Sequence, residues 1–201
     1  MPAIAQSLGR LGRGYALSVA LGLTLGVVLA QVDVVRRGLK PIVNGLQALP
    51  SICWLPLALL WFGLSDSALV FVVVMGSLLA IAISTEDALL GIDPLLLKVS
   101  RTYGVRGWRL QLGVMIPAAL PGIVTGLKLG WSFAWRALLA GELLYASGGL
   151  GQLLTVGREL LAVDQVLAVM LAIVACGMTI DRVLFRTAEQ RIRTRWGLAE
   201  A

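Results

Sequence analysis

Apolar residues are gathered into long runs that short charged stretches separate. A helix needs about 20 mostly apolar residues to cross a bilayer. Five runs meet this length: Gly14–Val32, Pro41–Ser65, Ser67–Thr85, the part of Leu110–Tyr145 that begins near Pro121, and Gln165–Ile180 with its flanks. The pattern therefore predicts an all-α fold, a polytopic bundle of five membrane helices in which residues 1–201 form one transmembrane domain.

Two of these runs carry further structural signals. Small residues recur at every fourth position of the first run, which lets a neighbouring backbone come close: Gly14, Ser18, Gly22, Gly26 and Ala30. We favour packing inside the bundle over a subunit interface for this stripe. In the second run, Pro50 and Pro56 each remove a backbone donor. They predict a broken helix, which either lines a pathway or is a kink that neighbouring helices satisfy.

Composition supports a membrane protein and excludes several other classes. The chain is 58% hydrophobic and 14% charged, with a mean hydropathy of +0.89. Its net charge of +6 comes from short clusters between apolar runs, so we interpret it as membrane topology rather than nucleic-acid binding. The chain has no histidine, and Cys53 and Cys176 lie inside apolar runs without a metal-ligand spacing. We expect no cofactor, no metal and no intramembrane catalytic site.

Positive charges alternate between the loops. The basic regions follow the first, third and fifth runs: Arg36, Arg37 and Lys40; Lys98, Arg101, Arg106 and Arg109; and Arg182, Arg186, Arg191, Arg193 and Arg195. The positive-inside rule places these regions and the C-terminus in the cytoplasm. Arg10 and Arg13 conflict with the resulting external N-terminus. A signal peptide that is cleaved near Ala30 would explain this, but we favour an additional helix upstream of this chain.

The loop at about 86–109 contains its own short helix. Asp93 is a good N-cap, Pro94 is favoured at the first helical position, and Gly104 suits a left-handed C-terminal cap. These signals predict a helix over Pro94–Tyr103, with Lys98 and Arg101 on one face. Such a helix is either a contact for another protein or an interfacial helix that rests on lipid headgroups.

The fourth run carries charged and aromatic residues on one helical face. Lys128, Trp131, Trp135 and Glu142 fall within about 60° of one another, whereas Arg136 lies about 80° from Lys128 on the other side. Charged residues in a span usually face the bundle interior or water. We interpret this face as a translocation path for an anion. Lys128, Trp131 and Trp135 are its main candidates, and structural ion pairs are the alternative, favoured for Arg136 and Glu142.

Several ordered motifs resemble one family of transport proteins. Gly104 is followed, after nine residues, by Val114-Met115-Ile116-Pro117, which resembles the "EAA loop" of binding-protein-dependent ABC importer permeases. The nitrate, sulfonate and taurine permeases have residues similar to further segments: Leu49–Leu57, Leu60–Gly63, Gly91–Asp93, Pro117–Pro121, Gly126–Leu127, Ala140–Leu143 and Gly149–Gly151. Two departures stand out: Lys98-Val99-Ser100 replaces Glu-Ala-Ala, and the chain shows five spans where the family usually has six.

The resemblance implies partners and a mechanism. Two permease copies, expected here as a homodimer, pair in the bacterial inner membrane, and a periplasmic or lipid-anchored binding protein delivers a nitrate-, sulfonate- or taurine-like solute. Cytoplasmic ATPase subunits bind the loop helix, through residues that match here Pro94, Lys98, Arg101, Gly104 and Pro117. The chain has no phosphate-binding loop, so it is not expected to be an enzyme. A secondary transporter or channel that works without an ATPase is the alternative, but no inverted repeat is found.

Overall fold

A long central helix organises the bundle. A computed structural model of the chain describes residues 2–145 and 148–187, which contain helices and turns but no strand. Helix α4 (Asp66–Leu90) lies between α1 and α7, which both pack along it. The other elements, in chain order, are α1 (Pro2–Gln31), α2 (Asp33–Gln47), a 3₁₀ turn (Ser51–Trp54), α3 (Leu55–Phe62), α5 (Pro94–Thr102), α6 (Trp108–Leu110), a π-helical turn (Gln111–Met115), α7 (Ile116–Leu144), α8 (Leu150–Glu159), α9 (Val163–Ile180) and a π-helical turn (Asp181–Arg186).

The expected all-α membrane bundle is confirmed, with corrections to helix ends. Four helical segments of the described chain are long and apolar enough to cross a membrane, and α2 with α3 counts as a fifth if the bent pair is one span. The third span does not end at Thr85, because α4 continues to Leu90 and keeps Glu86 inside the bundle. The charge of Glu86 is balanced there by Lys40, whose Nζ lies 2.9 Å from Oε1. The loop therefore begins at Gly91.

The fourth span also begins earlier than Pro121. The segment from Trp108 to Leu144 is one continuous helical path. Its π-helical turn ends where the Ile116 N–H donates to the carbonyl oxygen of Gln111, directly before Pro117, which has no N–H to donate. Prolines in this region are therefore accommodated within a helix rather than marking its start.

Small residues of α1 allow it to lie close to α4. A Cβ atom at Gly14 would lie 2.6 Å from the Val73 side chain, and one at Gly26 would lie 2.5 Å from the carbonyl oxygen of Ala82. Between them, Ser77 Oγ donates to Ser18 Oγ at 2.7 Å. This contact is within one chain, so the interpretation of the stripe as packing inside the bundle is confirmed.

The second span is broken, as expected, and the break lies at Pro50. The axes of α2 and the following Ser51–Phe62 segment differ by 100°. Pro50 has an extended ψ of 135°, whereas Pro56 sits in the first turn of α3, where a proline costs little. A Cβ at Gly76 of α4 would lie 3.1 Å from Ser51 Cβ and 2.8 Å from Ala137 Cβ. Gly76 therefore lets both the break and α7 lie close to α4.

The C-terminal part of the chain is attached to one side of α7. Helix α8 contacts α7, and α9 packs mainly on α8. The outer face of α9 exposes apolar side chains, among them Leu167, Leu171 and Val174. This composition suits contact with lipid or with another subunit. Arg191, Arg193 and Arg195, which contribute to the predicted basic tail, lie outside the described residues.

Candidate functional site

The loop helix α5 has the two caps that its sequence predicts. The N–H of Leu95 donates to Asp93 Oδ1 at 2.7 Å, and Pro94 occupies the first helical turn. At the other end Gly104 has φ +79°, in the left-handed region. The N–H of Val105 donates to the Ser100 carbonyl at 3.1 Å, and that of Gly104 donates to the Arg101 carbonyl at 3.0 Å. These two bonds form a Schellman motif. The predicted helix is confirmed, ending at Thr102.

One side of α5 is anchored and the other is exposed. Leu97 packs against an apolar cluster that joins the end of α4 to the start of α7 through Leu89, Ile92 and Ala119. Leu95, Val99 and Tyr103 are 64%, 44% and 83% exposed. Lys98 and Arg101 are exposed beside them. The helix thus presents apolar and cationic side chains outward, while its inner side contacts two spans. Pro117 lies half-buried at the start of α7, next to the same cluster.

The predicted path residues Lys128, Trp131 and Trp135 face α1 and the end of α9. Trp131 is 8% exposed and makes an edge contact with Tyr15, with ring centroids 5.1 Å apart. Lys128 Nζ lies 3.7 Å from Asp181 Oδ2, and both side chains are about 40% exposed. Trp135 is half-buried near α9. A solute would contact Trp131 only if these helices separated, so a path on this face stays a prediction.

Glu142, the fourth predicted path residue, lies in a buried polar cluster at the opposite end of the bundle from α5. It is 1% exposed. Arg10 NH1 lies 3.0 Å from its Oε1, Ser7 Oγ donates at 2.8 Å, and the N–H of Gly151 donates to Oε2 at 3.0 Å. Arg10 also contacts Asp66 Oδ1 at 2.7 Å. The cluster therefore joins α1, α4, α7 and α8.

Arg10 does not lie in a loop ahead of the first span. Sequence reasoning treated Arg10 as a charge that precedes the first span, whereas the structure places it inside α1 with two carboxylate partners. Arg13, in the next turn of α1, is 63% exposed, so the orientation of the chain stays a prediction. The signal that could have found the pair was the presence of opposite charges in two apolar runs, because such residues usually pair with one another.

A cavity lies where the second span is broken. Its volume is about 310 Å³. Arg136 and Phe133 of α7 line one wall, and the Arg136 guanidinium carbon lies 4.7 Å from the centroid of the Phe133 ring. The remaining wall comes from the break and from α4: Leu46, Gln47, Ala48, Leu49, Pro50, Ser51, Met75, Gly76, Leu79 and Ala80. Sequence reasoning missed this site, because the segments that form it are far apart in the chain.

A family model matches most of the chain. Residues 21–194 match the binding-protein-dependent transport system inner membrane component family. The chain belongs to this family. It is a multi-pass permease subunit of an ABC importer, and the expected family resemblance is confirmed. None of the residue clusters in the described ranges could hold a metal ion.

Individual relatives and a solved structure agree with the family. The chain is 32% identical over 177 residues to a putative ABC transporter permease of Methanocaldococcus jannaschii, covering 88% of this chain and 66% of the relative. It is 32% identical to the putative aliphatic sulfonates transport permease of Escherichia coli (82% and 62% covered), and 28% identical to the taurine transport permease of the same organism (96% and 70% covered). The chain thus spans somewhat less than two thirds of the first two relatives.

The fold is also that of a known transporter. A solved structure of the MetNI methionine ABC transporter matches with a TM-score of 0.76 and 23% identity, over 96% of this chain and 94% of that chain. At this identity the match supports the fold alone. It agrees with the bundle of α1, the broken second span, α4, α7 and α9 that the described residues form.

Proposed function

We propose that this permease passes a small anionic solute across the inner membrane, as one of two identical copies, with energy from a separate cytoplasmic ATPase. An extracytoplasmic binding protein would deliver the solute. The relative that is named for aliphatic sulfonates supports an anionic substrate. The relative that is named for taurine supports a sulfonate group on the solute, because taurine carries one beside its ammonium group. The whole of residues 1–201 would act as one transmembrane domain, and nitrate-like solutes belong to the same class of candidates.

The geometry of α5 carries the coupling part of this proposal. Its caps fix both ends, through Pro94 and Gly104, and its outward face combines exposed apolar side chains with Lys98 and Arg101. Exposed apolar residues beside charges are typical of a protein–protein contact. The inner side of α5 reaches α4 and α7 through the Leu97 cluster. A movement of α5 would therefore be passed to two spans, with Pro117 at the start of one of them.

The path and the orientation form the rest of the proposal. Lys128, Trp131 and Trp135 would contact the solute when α7 moves relative to α1 and α9, and Glu142 would hold the opposite end of α7. The loop with α5 and the C-terminal tail would lie in the cytoplasm, because the Lys and Arg residues of the loops concentrate there. The binding protein would then meet the end of the bundle where α8 lies.

A substitution at the end of α5 tests the coupling. Gly104→Val places a β-branched residue at φ +79°, which costs about 1–2 kcal/mol or more and should distort the exposed end of α5. We expect a several-fold fall in solute-stimulated ATPase activity of the reconstituted complex, with normal membrane insertion. Gly38→Val is the matched control, because Gly38 lies in α2 without a positive φ and with open space around its Cβ position.

Two results would contradict this role. If stimulation and co-purification of the ATPase are unchanged in Gly104→Val, α5 is only an interfacial helix. If the chain transports solute in vesicles that contain no ATPase, the protein is a secondary transporter or a channel.

A further inference from the structure

The cavity at the broken span contains an arginine that has no acidic partner in the part of the chain that the structure describes. Arg136 is exposed, and its Nε donates to the carbonyl oxygen of Ser132 at 3.1 Å, within its own helix. Within residues 2–145 and 148–187, no carboxylate lies within ion-pair distance of Arg136, although Lys128, Arg10 and Lys40 each have one. The charge of Arg136 is therefore open to a ligand.

Arg136 lies well inside the length of α7. It lies about 12 Å along the axis from Leu144, the end of α7, and Gly76, on the facing wall, lies about 15 Å from the start of α4. Both distances fall within a hydrocarbon core about 30 Å thick. An arginine at this depth costs about 3 kcal/mol or more against lipid. Its exposed face must therefore meet water, protein or an anion.

The exposed face of α7 that contains Arg136 carries both polar and apolar residues. Thr125, Ser132 and Arg136 are all exposed and lie within about 40° of one another around the helix. Leu129 and Leu143, which are 44% and 43% exposed, lie on the same face. This face is separate from that of Trp131, which lies about 140° from Arg136 and packs inside the bundle. Thr125 and Ser132 therefore lie along α7 in line with Arg136 and the cavity, on a face that lies away from the packed tryptophan.

The lining of the cavity suits one class of ligand. Arg136 supplies a cation, and Gln47 and Ser51 supply neutral hydrogen-bonding groups. Leu49, Met75 and Phe133 make most of the remaining wall apolar. A volume of about 310 Å³ is at the small end of the range for ligand sites. One cation, few polar groups and an apolar wall fit a small organic monoanion with a short aliphatic part.

We propose that the cavity at the break between α2 and α3 is an anion-binding site, in which Arg136 contacts the sulfonate or carboxylate group of the transported solute. This inference rests on the proposed import of an anion and assigns its contact point within the membrane. Gly76 keeps the site in place, because any larger residue would push the break away from α4. Arg136 lies about 80° from Lys128 around α7, so the cavity adds a second face of α7 to the proposed route.

Thiol chemistry tests the charge of the cavity without knowledge of the solute. In a C53A/C176A background, Ser51→Cys places a thiol on the wall that faces Arg136. Two methanethiosulfonates, one carrying an ethylsulfonate and one a trimethylammonium group, are reacted with the full chain in membranes. We expect the anionic reagent to react preferentially, and Arg136→Gln to lower the ratio of anionic to cationic rates about tenfold. Arg136→Lys should retain most of the preference for the anionic reagent.

Two control substitutions test whether the change in reagent ratio is specific to the cavity. Arg158→Gln removes the same charge from α8 and should leave the ratio unchanged. Leu171→Cys, on the apolar outer face of α9, should react slowly with both reagents. An unchanged ratio in Arg136→Gln would overturn the proposal. So would a Ser51→Cys thiol that neither reagent modifies until the protein is denatured, because the cavity would then be closed to water.

Uptake of ethanesulfonate by the complete complex distinguishes failure of the anion site at Arg136 from failure of the proposed anion import. Arg136→Gln should raise KM for uptake about tenfold or more, and Arg136→Lys should restore part of this loss. If the wild-type complex takes up no anion while the reagent ratio still falls, the proposed solute class is wrong and the anion site stands. If uptake is normal in Arg136→Gln, the solute does not contact Arg136, and the inference fails even though import is established.

Discussion

Arg10 and Glu142 form an ion pair that several helices almost fully enclose. Their side chains are 4% and 0% exposed. Removing Arg10 leaves the Glu142 carboxylate buried with only Ser7 and the Gly151 N–H as neutral donors. Arg10→Met should therefore lower the free energy of unfolding by about 3–5 kcal/mol. Glu142→Gln should cost less, because Arg10 keeps Asp66 as a partner. Thermal unfolding in detergent measures both.

The double variant shows whether the two residues act as a pair. Arg10→Met combined with Glu142→Gln removes both charges and should be more stable than Arg10→Met alone. If the effects of the two substitutions simply add, the buried pair does not hold these helices together.

Lys128 allows the path role and the structural role to be separated. Lys128→Met removes the charge and keeps most of the length. Its partner Asp181 is 40% exposed and stays hydrated, so we expect little change in melting temperature. Uptake of an aliphatic sulfonate by the complete complex should fall if Lys128 faces the route. Asp181→Asn breaks the same ion pair but keeps the lysine, so it should retain uptake. Full uptake with a lowered melting temperature in Lys128→Met would exclude the path role.

At the scale of single elements, local signals were sufficient for α5 and insufficient for the longer helices. Asp93, Pro94 and Gly104 define the ends of α5 through bonds to residues a few positions away. The end of α4 is different, because Glu86 stays in the helix only when Lys40, from another helix, neutralises it. The expected start of the loop at about residue 86, where the first charge follows the apolar run, was therefore wrong. Ends that depend on tertiary partners are not visible in one run of sequence.

The contact of α1 with α4 gives a prediction about two glycines of one helix. A Cβ at Gly22 would lie 2.9 Å from the Leu78 carbonyl oxygen and from Ile81, whereas nothing lies within 4 Å of one at Gly12. Gly22→Ala should therefore cost about 1–3 kcal/mol through forced separation of the helices. Gly12→Ala should be neutral or stabilise by up to about 1 kcal/mol, because alanine is the better helix former. Thermal unfolding of both variants in detergent makes the comparison. Equal effects would mean that the close approach is not needed.

At the scale of the whole molecule, the sequence predicted the class of fold better than the site. Apolar runs and ordered motifs gave the helical bundle, its broken second span and the family, and these are confirmed. The cavity at Pro50 was not predictable, because it needs Gly76 and Arg136 to meet the break from two other helices. Helical periodicity on α7 identified a face with Lys128 and Trp131. It could not show which face of α7 meets an open space.

The orientation of the molecule in the membrane is the last prediction. The described structure places α5 at one end of the bundle and the cluster of Arg10 and Glu142 at the other. Most Lys and Arg residues of the loops lie at the α5 end, and only Arg13 and Arg158 among the described residues are exposed at the other, so we expect α5 in the cytoplasm. In a C53A/C176A background, a thiol in place of the exposed Arg106 should resist an impermeant maleimide in intact spheroplasts and react after permeabilisation. A thiol in place of the exposed Arg158, in α8, should react in both conditions. The opposite pattern would invert the topology, and the ATPase could then not reach α5.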